Sequence, residues 1–112
     1  MKAFITERIE RLEKEVKDLS TLSFYSRALL EKIHEHAMED QAVNSYEQVV
    51  NETAAFIRAF DTRIELVKST ATENEQLAML TLDDYSLKIE ELLDRTTACL
   101  DTIISIKNRP VS

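Results

Sequence analysis

The chain has 112 residues, 44% of them hydrophobic and 31% charged, which suits one globular domain with one core spanning residues 1–112. Glycine is absent and Pro110 is the only proline, so glycine-rich phosphate loops and tight hairpins lack their usual residues, and helices with short polar connections are expected. The formal net charge of −7 argues against nucleic acid and anionic membranes as partners, because an acidic surface repels phosphate.

Compartment and redox state are indicated by what the sequence lacks. Uninterrupted apolar runs are too short to span a bilayer, and the N-terminal residues turn polar too early for a signal peptide. The single cysteine, Cys99, cannot form an intramolecular disulfide, and its place on an apolar stripe is typical of a buried structural thiol in a reducing compartment. We therefore expect a cytoplasmic protein without a membrane segment.

The first predicted helix covers about residues 2–38. Its apolar residues alternate spacings of four and three, the heptad pattern of a helix with one buried face, at Ile5, Ile9, Leu12, Val16 and Leu19. The stripe continues in phase through serines at positions 23 and 26. The sequence around Ser20 therefore allows either a near-continuous helix, which we favour, or a break with a new N-cap.

The second predicted helix covers about residues 40–69. Its stripe includes Ile57, with Val49 and Phe56 on the flanks. The segment Thr72-Glu73-Asn74-Glu75 then matches the capping box, in which a Ser or Thr side chain and a Glu three residues later satisfy each other's free backbone donors. This match predicts that the third helix begins at about residue 73.

The third predicted helix covers about residues 73–108, with an apolar stripe from Ala78 to Ile106 and a stop before Pro110. Short connections make successive helices antiparallel. The predicted fold is therefore all-α: an elongated antiparallel bundle of three long helices, or of four helices if the first one breaks near Ser20.

Candidate catalytic residues are few. Glu31 and His34 have the Glu-x-x-His spacing of di-iron bundles, but such a site needs two of these motifs, and only one is present. His34 as a phosphoryl acceptor lacks the glycine that usually opens access to such a residue. Cys99 has no histidine near it in sequence that could activate it as a nucleophile. We expect no enzyme activity, no cofactor and no bound metal.

The strongest candidate for a binding surface lies on the third helix. Residues 73–94 contain seven acids and one base, Lys88. At about 100° per residue, Leu80 and Leu87 fall on the side opposite the core stripe, among those acids. Such charge runs are usually only solvated, and single exposed leucines are common. The interaction hypothesis assigns partner binding to Leu80 and Leu87 as apolar anchors, with Asp83, Asp84, Glu91 and Asp94 steering a basic partner.

These observations predict a non-enzymatic interaction module, such as a small adaptor, regulator or export chaperone, that binds another protein through a helix or a basic surface. The alternative is a homo-oligomeric structural bundle, such as a homodimer, because the heptad of residues 5–19 has charged flanks like a coiled-coil seam. A metal- or phosphoryl-binding bundle that uses His34 ranks third.

Overall fold

The computed structural model describes residues 2–35 and 41–107, which form three α-helices. These are α1 (Ala3–Glu35), α2 (Gln41–Glu73) and α3 (Glu75–Lys107). Helix α1 runs without a break past Ser20, so the prediction of three long helices is confirmed and the four-helix alternative is wrong. The hydroxyl of Thr21 donates to the carbonyl of Lys17 inside the helix at 3.3 Å, which satisfies it without interrupting the helix. The predicted limits at residues 38, 40 and 108 lie outside the described residues.

The three helices lie side by side in an up-down-up arrangement. Ion pairs between the starts of α1 and α3, Lys2 with Glu75 and Arg8 with Asp83, show that these two helices run parallel. The end of α1 meets the start of α2, where His34 lies 3.8 Å from Glu47. The result is an elongated bundle that measures 63 × 19 × 18 Å.

The connection between α2 and α3 is a single residue, Asn74. Its side-chain oxygen accepts a hydrogen bond from the backbone N–H of Leu77 at 3.1 Å, which makes it the N-cap of α3. The predicted capping box at Thr72 is therefore wrong, and the predicted end of α2 at residue 69 is four residues too early. The Thr72 hydroxyl instead donates to the carbonyl of Ser69 within α2. Asn is as strong an N-cap as Ser or Thr, and no glycine or proline ends α2 earlier.

The core contains the predicted stripes with small shifts in phase. All five heptad residues from Ile5 to Leu19 are buried, as predicted. In α2 the buried residue is Phe56, whereas Ile57 is only half-buried and lies at the edge. Cys99 is also half-buried, so the expectation of a fully buried thiol is wrong. A strict heptad drifts around a straight helix by about 20° per repeat, which moves single positions from the centre of a stripe to its edge.

A polar layer interrupts the apolar core near its middle. Each helix contributes one small hydroxyl residue, Ser26, Thr53 and Thr96, and each is only 3% exposed. The Thr96 hydroxyl donates to the carbonyl of Leu92, but the hydroxyls of Ser26 and Thr53 have no hydrogen-bond partner among the described residues. The space between them is too small to hold a water molecule. Because buried hydroxyls without a hydrogen-bond partner cost stability, Ser26 and Thr53 lower the stability of this part of the core.

Candidate functional site

We call the outward side of α3 that carries Leu80, Leu87, Asp83, Asp84, Glu91 and Asp94 the acidic face. Its two leucines are exposed, at 62% for Leu80 and 63% for Leu87, whereas the neighbouring Leu82 is fully buried. The helical period explains the difference, because residue 82 faces the core while residues 80 and 87 point away from it. No described helix covers these leucines, so they are available for contact with another molecule.

The acids of this face differ in how they are already paired. Asp83 forms an ion pair with Arg8 of α1. Glu91 accepts from Lys88 at 3.4 Å and from Arg95 at 3.2 Å. Asp84 and Asp94 are exposed and form no ion pair within the described part of the chain. Among the four acids assigned to this face, Asp84 and Asp94 are therefore the two whose charge is open to a partner.

Arg95 links the acidic face to α2. It forms ion pairs with both Glu91 and Glu52, and the hydrogen bond to Glu52 raises the pKa of its guanidinium further above its ordinary value. Arg95 therefore keeps its charge at every accessible pH. Its contacts hold the Glu91 carboxylate against the body of the bundle, which leaves this acid less free to meet a partner than Asp84 or Asp94.

The apolar part of the acidic face is larger than the sequence analysis indicated. Leu77, three residues before Leu80, is half exposed, and the side chain of Phe4 from α1 is also exposed at this end of the bundle. Phe4, Met79 and Leu80 line an open groove together with Glu75, Gln76 and Asp83. The spacing of Leu77 and Leu80 was a usable sequence signal for this extension. The position of Phe4 was not, because it depends on how α1 packs against α3.

A second exposed apolar surface lies on α1 and was missed entirely. Phe24 is 72% exposed and Tyr25 is 65% exposed, and their rings meet edge to face with centroids 5.7 Å apart. Both are off the core stripe, whose positions here are taken by Ser23 and Ser26. Two aromatic residues directly between serines at core positions were the available signal, since they reverse the usual distribution of apolar and polar side chains.

Two further residues, His34 and Cys99, were candidates for metal binding or catalysis. His34 is exposed, and Glu47 is the acid beside it. No group of three or more side chains that could hold a metal ion occurs among residues 2–35 and 41–107. Cys99 lines a shallow groove with Ala42, Ser45, Ala98 and Thr102.

The heptad of residues 5–19, which motivated the homodimer alternative, packs into the core of its own chain. Its five apolar side chains are buried against α2 and α3. A dimer formed through them would require the bundle to open. Self-association of the folded chain must therefore use other residues.

No described helix is long and apolar enough to cross a membrane. No protein-family model matches this chain, and the searches of curated proteins and of solved structures gave no match.

Proposed function

We propose that this protein is a non-enzymatic interaction module of the cytoplasm, a small adaptor, regulator or export chaperone, which binds a basic amphipathic helix of another protein on the acidic face of α3. The observation that carries the proposal is the exposure of Leu80 and Leu87 on either side of the unpaired Asp84. An apolar pair with a bare carboxylate between its members suits a partner that offers apolar and cationic side chains at the same spacing.

The spacing of the leucines indicates the form of the partner. Leu80 and Leu87 are seven residues apart, which is about 10.5 Å along the helix at 1.5 Å per residue. A partner helix presents apolar side chains at the same interval when it has one every seven residues on one face. Covering each leucine would contribute about 1–2 kcal/mol from burial of apolar surface.

The unpaired acids indicate the charge of the partner. Asp84 lies between the two leucines in sequence, and Asp94 lies one heptad beyond Leu87. Exposed carboxylates attract cationic partners and speed their association. Their main effect is on the association rate and on the orientation of the partner, and less on the strength of the final complex. Lys or Arg side chains beside the apolar stripe of the partner would complement both acids.

The experiment uses a synthetic amphipathic helix about three heptads long, with Leu at a and d and Lys or Arg at e and g. We expect the wild-type protein to bind this peptide in a calorimetric titration. Leu80→Ala combined with Leu87→Ala should weaken binding about tenfold or more, without changing the melting temperature. The matched control is Leu66→Ala, since Leu66 is also 63% exposed but lies on α2.

A second pair of titrations tests the charges. Asp84→Asn with Asp94→Asn should weaken binding and reduce its dependence on salt, because two of the attracting charges are gone. The same peptide with Glu at e and g should not bind. The proposal is wrong if the double leucine variant binds the basic peptide as well as the wild type does, or if it unfolds early, which would make the leucines part of the core.

A further inference from the structure

The outward side of α1 has charges of both signs around two exposed aromatic residues, whereas the acidic face of α3 has an excess of acids. Phe24 and Tyr25 occupy the middle of this side of α1, and the exposed small residues Thr21 and Ala28 lie one turn before and after them. Small side chains beside large ones allow two helices to approach closely, at axis separations of about 8–10 Å. We call residues 17, 18, 21, 24, 25, 28, 31 and 32 the α1 face, and all of them are exposed.

The helical period divides this face into a centre and two edges. Residues seven apart lie almost above one another on a helix. One edge therefore carries Lys17, Phe24 and Glu31, and the other edge carries residues 18, 25 and 32. Residues 21 and 28 lie between the edges. Each edge thus has an aromatic ring at its middle and charges of opposite sign at its two ends.

This pattern is complementary to itself when reversed. We propose that the α1 face binds the same face of a second copy, with the two α1 helices antiparallel and the two-fold axis passing between Phe24 and Tyr25. The two-fold axis places each edge against the same edge of the other copy. Phe24 then meets Phe24 of the second copy, and Lys17 meets Glu31 of the second copy. On the other edge, Tyr25 meets its own counterpart.

The second edge repeats the charge match with the signs reversed. There Asp18 meets Lys32 of the second copy. Each opposite-charge pair occurs twice in a symmetric dimer, so every charged residue of the α1 face is opposite a residue of the other sign. A parallel two-fold arrangement would exchange the edges and place Lys17 against Asp18 and Glu31 against Lys32 of the second copy. The two arrangements differ in which charges meet, and only the antiparallel one is restored when residues 17 and 31 exchange their charges.

The same comparison shows why a second copy fits α1 and not α3. Pairing of the acidic face with itself would bring together Asp84 and Asp94 of both copies, and neither acid has an ion-pair partner within the described part of the chain. The α1 face has two cations and two acids. A contact through one helix face is at the small end of protein interfaces, so we expect a reversible dimer with a Kd of about 10–100 µM.

The test is sedimentation velocity of the full chain over a range of concentrations. We expect the wild type to move from monomer to dimer as its concentration rises. Lys17→Glu and Glu31→Lys should each weaken the dimer about tenfold, because each places like charges together twice. The double variant should restore wild-type affinity to within about threefold.

The rescue can come only from contact between copies. Residues 17 and 31 are about 21 Å apart along their own helix, too far to interact within one chain. Phe24→Ala with Tyr25→Ala should abolish the dimer, and Leu80→Ala with Leu87→Ala should leave it unchanged. A monomer mass at every concentration up to about 1 mM would overturn the proposal. So would a double charge variant as weak as the single ones, or a dimer that depends on Leu80 and Leu87.

Discussion

The outward sides of α1 and α3 expose similar amounts of large apolar surface but surround it with different charges. Phe24 and Tyr25 on α1 have charges of both signs around them, whereas Leu80 and Leu87 on α3 have an excess of acids. The apolar side chains give each surface a reason to be covered. The charge pattern decides what can cover it, because a balanced pattern accepts its own copy and a single-sign pattern repels it.

Both surfaces can select a partner only if their apolar side chains lie outside the core. The variant with the largest expected loss of stability tests this for α3. Leu82→Ala should lower the free energy of unfolding by about 2–5 kcal/mol, because Leu82 is fully buried and its truncation leaves a cavity. Leu80→Ala, two residues away on the opposite side, should change it by less than about 0.5 kcal/mol. Urea denaturation of both variants measures the difference. Equal losses would show that Leu80 is part of the core.

The second effect concerns the interior behind the α1 face, where the polar layer lies. Thr53→Val keeps the shape of the side chain and removes a buried hydroxyl without a partner, so we expect about 1–2 kcal/mol of added stability. Thr96→Val is the matched control, because its hydroxyl already bonds to Leu92 and its removal should gain less. The same denaturation assay compares the two. Loss of stability in Thr53→Val would mean that the hydroxyl has a partner in solution.

The smallest effect concerns the contact that fastens this part of α1 to α2. The buried Tyr46 hydroxyl donates to the carbonyl of Ser26 at 2.9 Å, and Tyr46→Phe should cost about 1 kcal/mol. Burial raises the pKa of Tyr46 above its ordinary value of 10.0, so the unfolded chain loses this proton first as pH rises. The contribution of the tyrosine is therefore complete below pH 10 and declines above it.

Unfolding of the wild type and of Tyr46→Phe at about pH 8 and about pH 10.5 checks this dependence, because the folded and unfolded chains then differ in bound protons only at the higher pH. We expect the stability difference between the two proteins to shrink at the higher pH. A constant difference would contradict the assignment of the raised pKa to this buried hydroxyl.

The sequence predicted the number of helices and most of the core, because heptad spacing reports directly which side of a helix is buried. It did not predict the end of α2, since Thr72 and Asn74 are both good N-caps and the choice between them depends on packing. The helical period placed Leu80 and Leu87 opposite the core stripe, but it left open whether they pack on a fourth helix. Their exposure is known only because α1 is continuous and the described residues form three helices. The pairing of Asp83 with Arg8 was not predicted, because those residues are 75 positions apart and meet only in the folded bundle.

The exposed aromatic residues of the α1 face were not predicted from the sequence. The two aromatic residues lie off the core stripe, so the heptad spacing gives no indication of them. Only the exposure of the folded chain singled out Phe24 and Tyr25. Once Phe24 and Tyr25 are known to be the centre of the surface, the sequence alone shows that the charges at residues 17, 18, 31 and 32 are self-complementary.

The central claim is that α3 and α1 present surfaces for different partners, and a two-dimensional NMR titration tests it most directly. The ¹⁵N-labelled protein is titrated with the basic amphipathic peptide, at a concentration at which the protein is monomeric. We predict that amide signals of residues 77–94 of α3 shift, while those of residues 17–32 of α1 stay in place. Shifts centred on Phe24 and Tyr25, or spread evenly over all three helices, would contradict the claim.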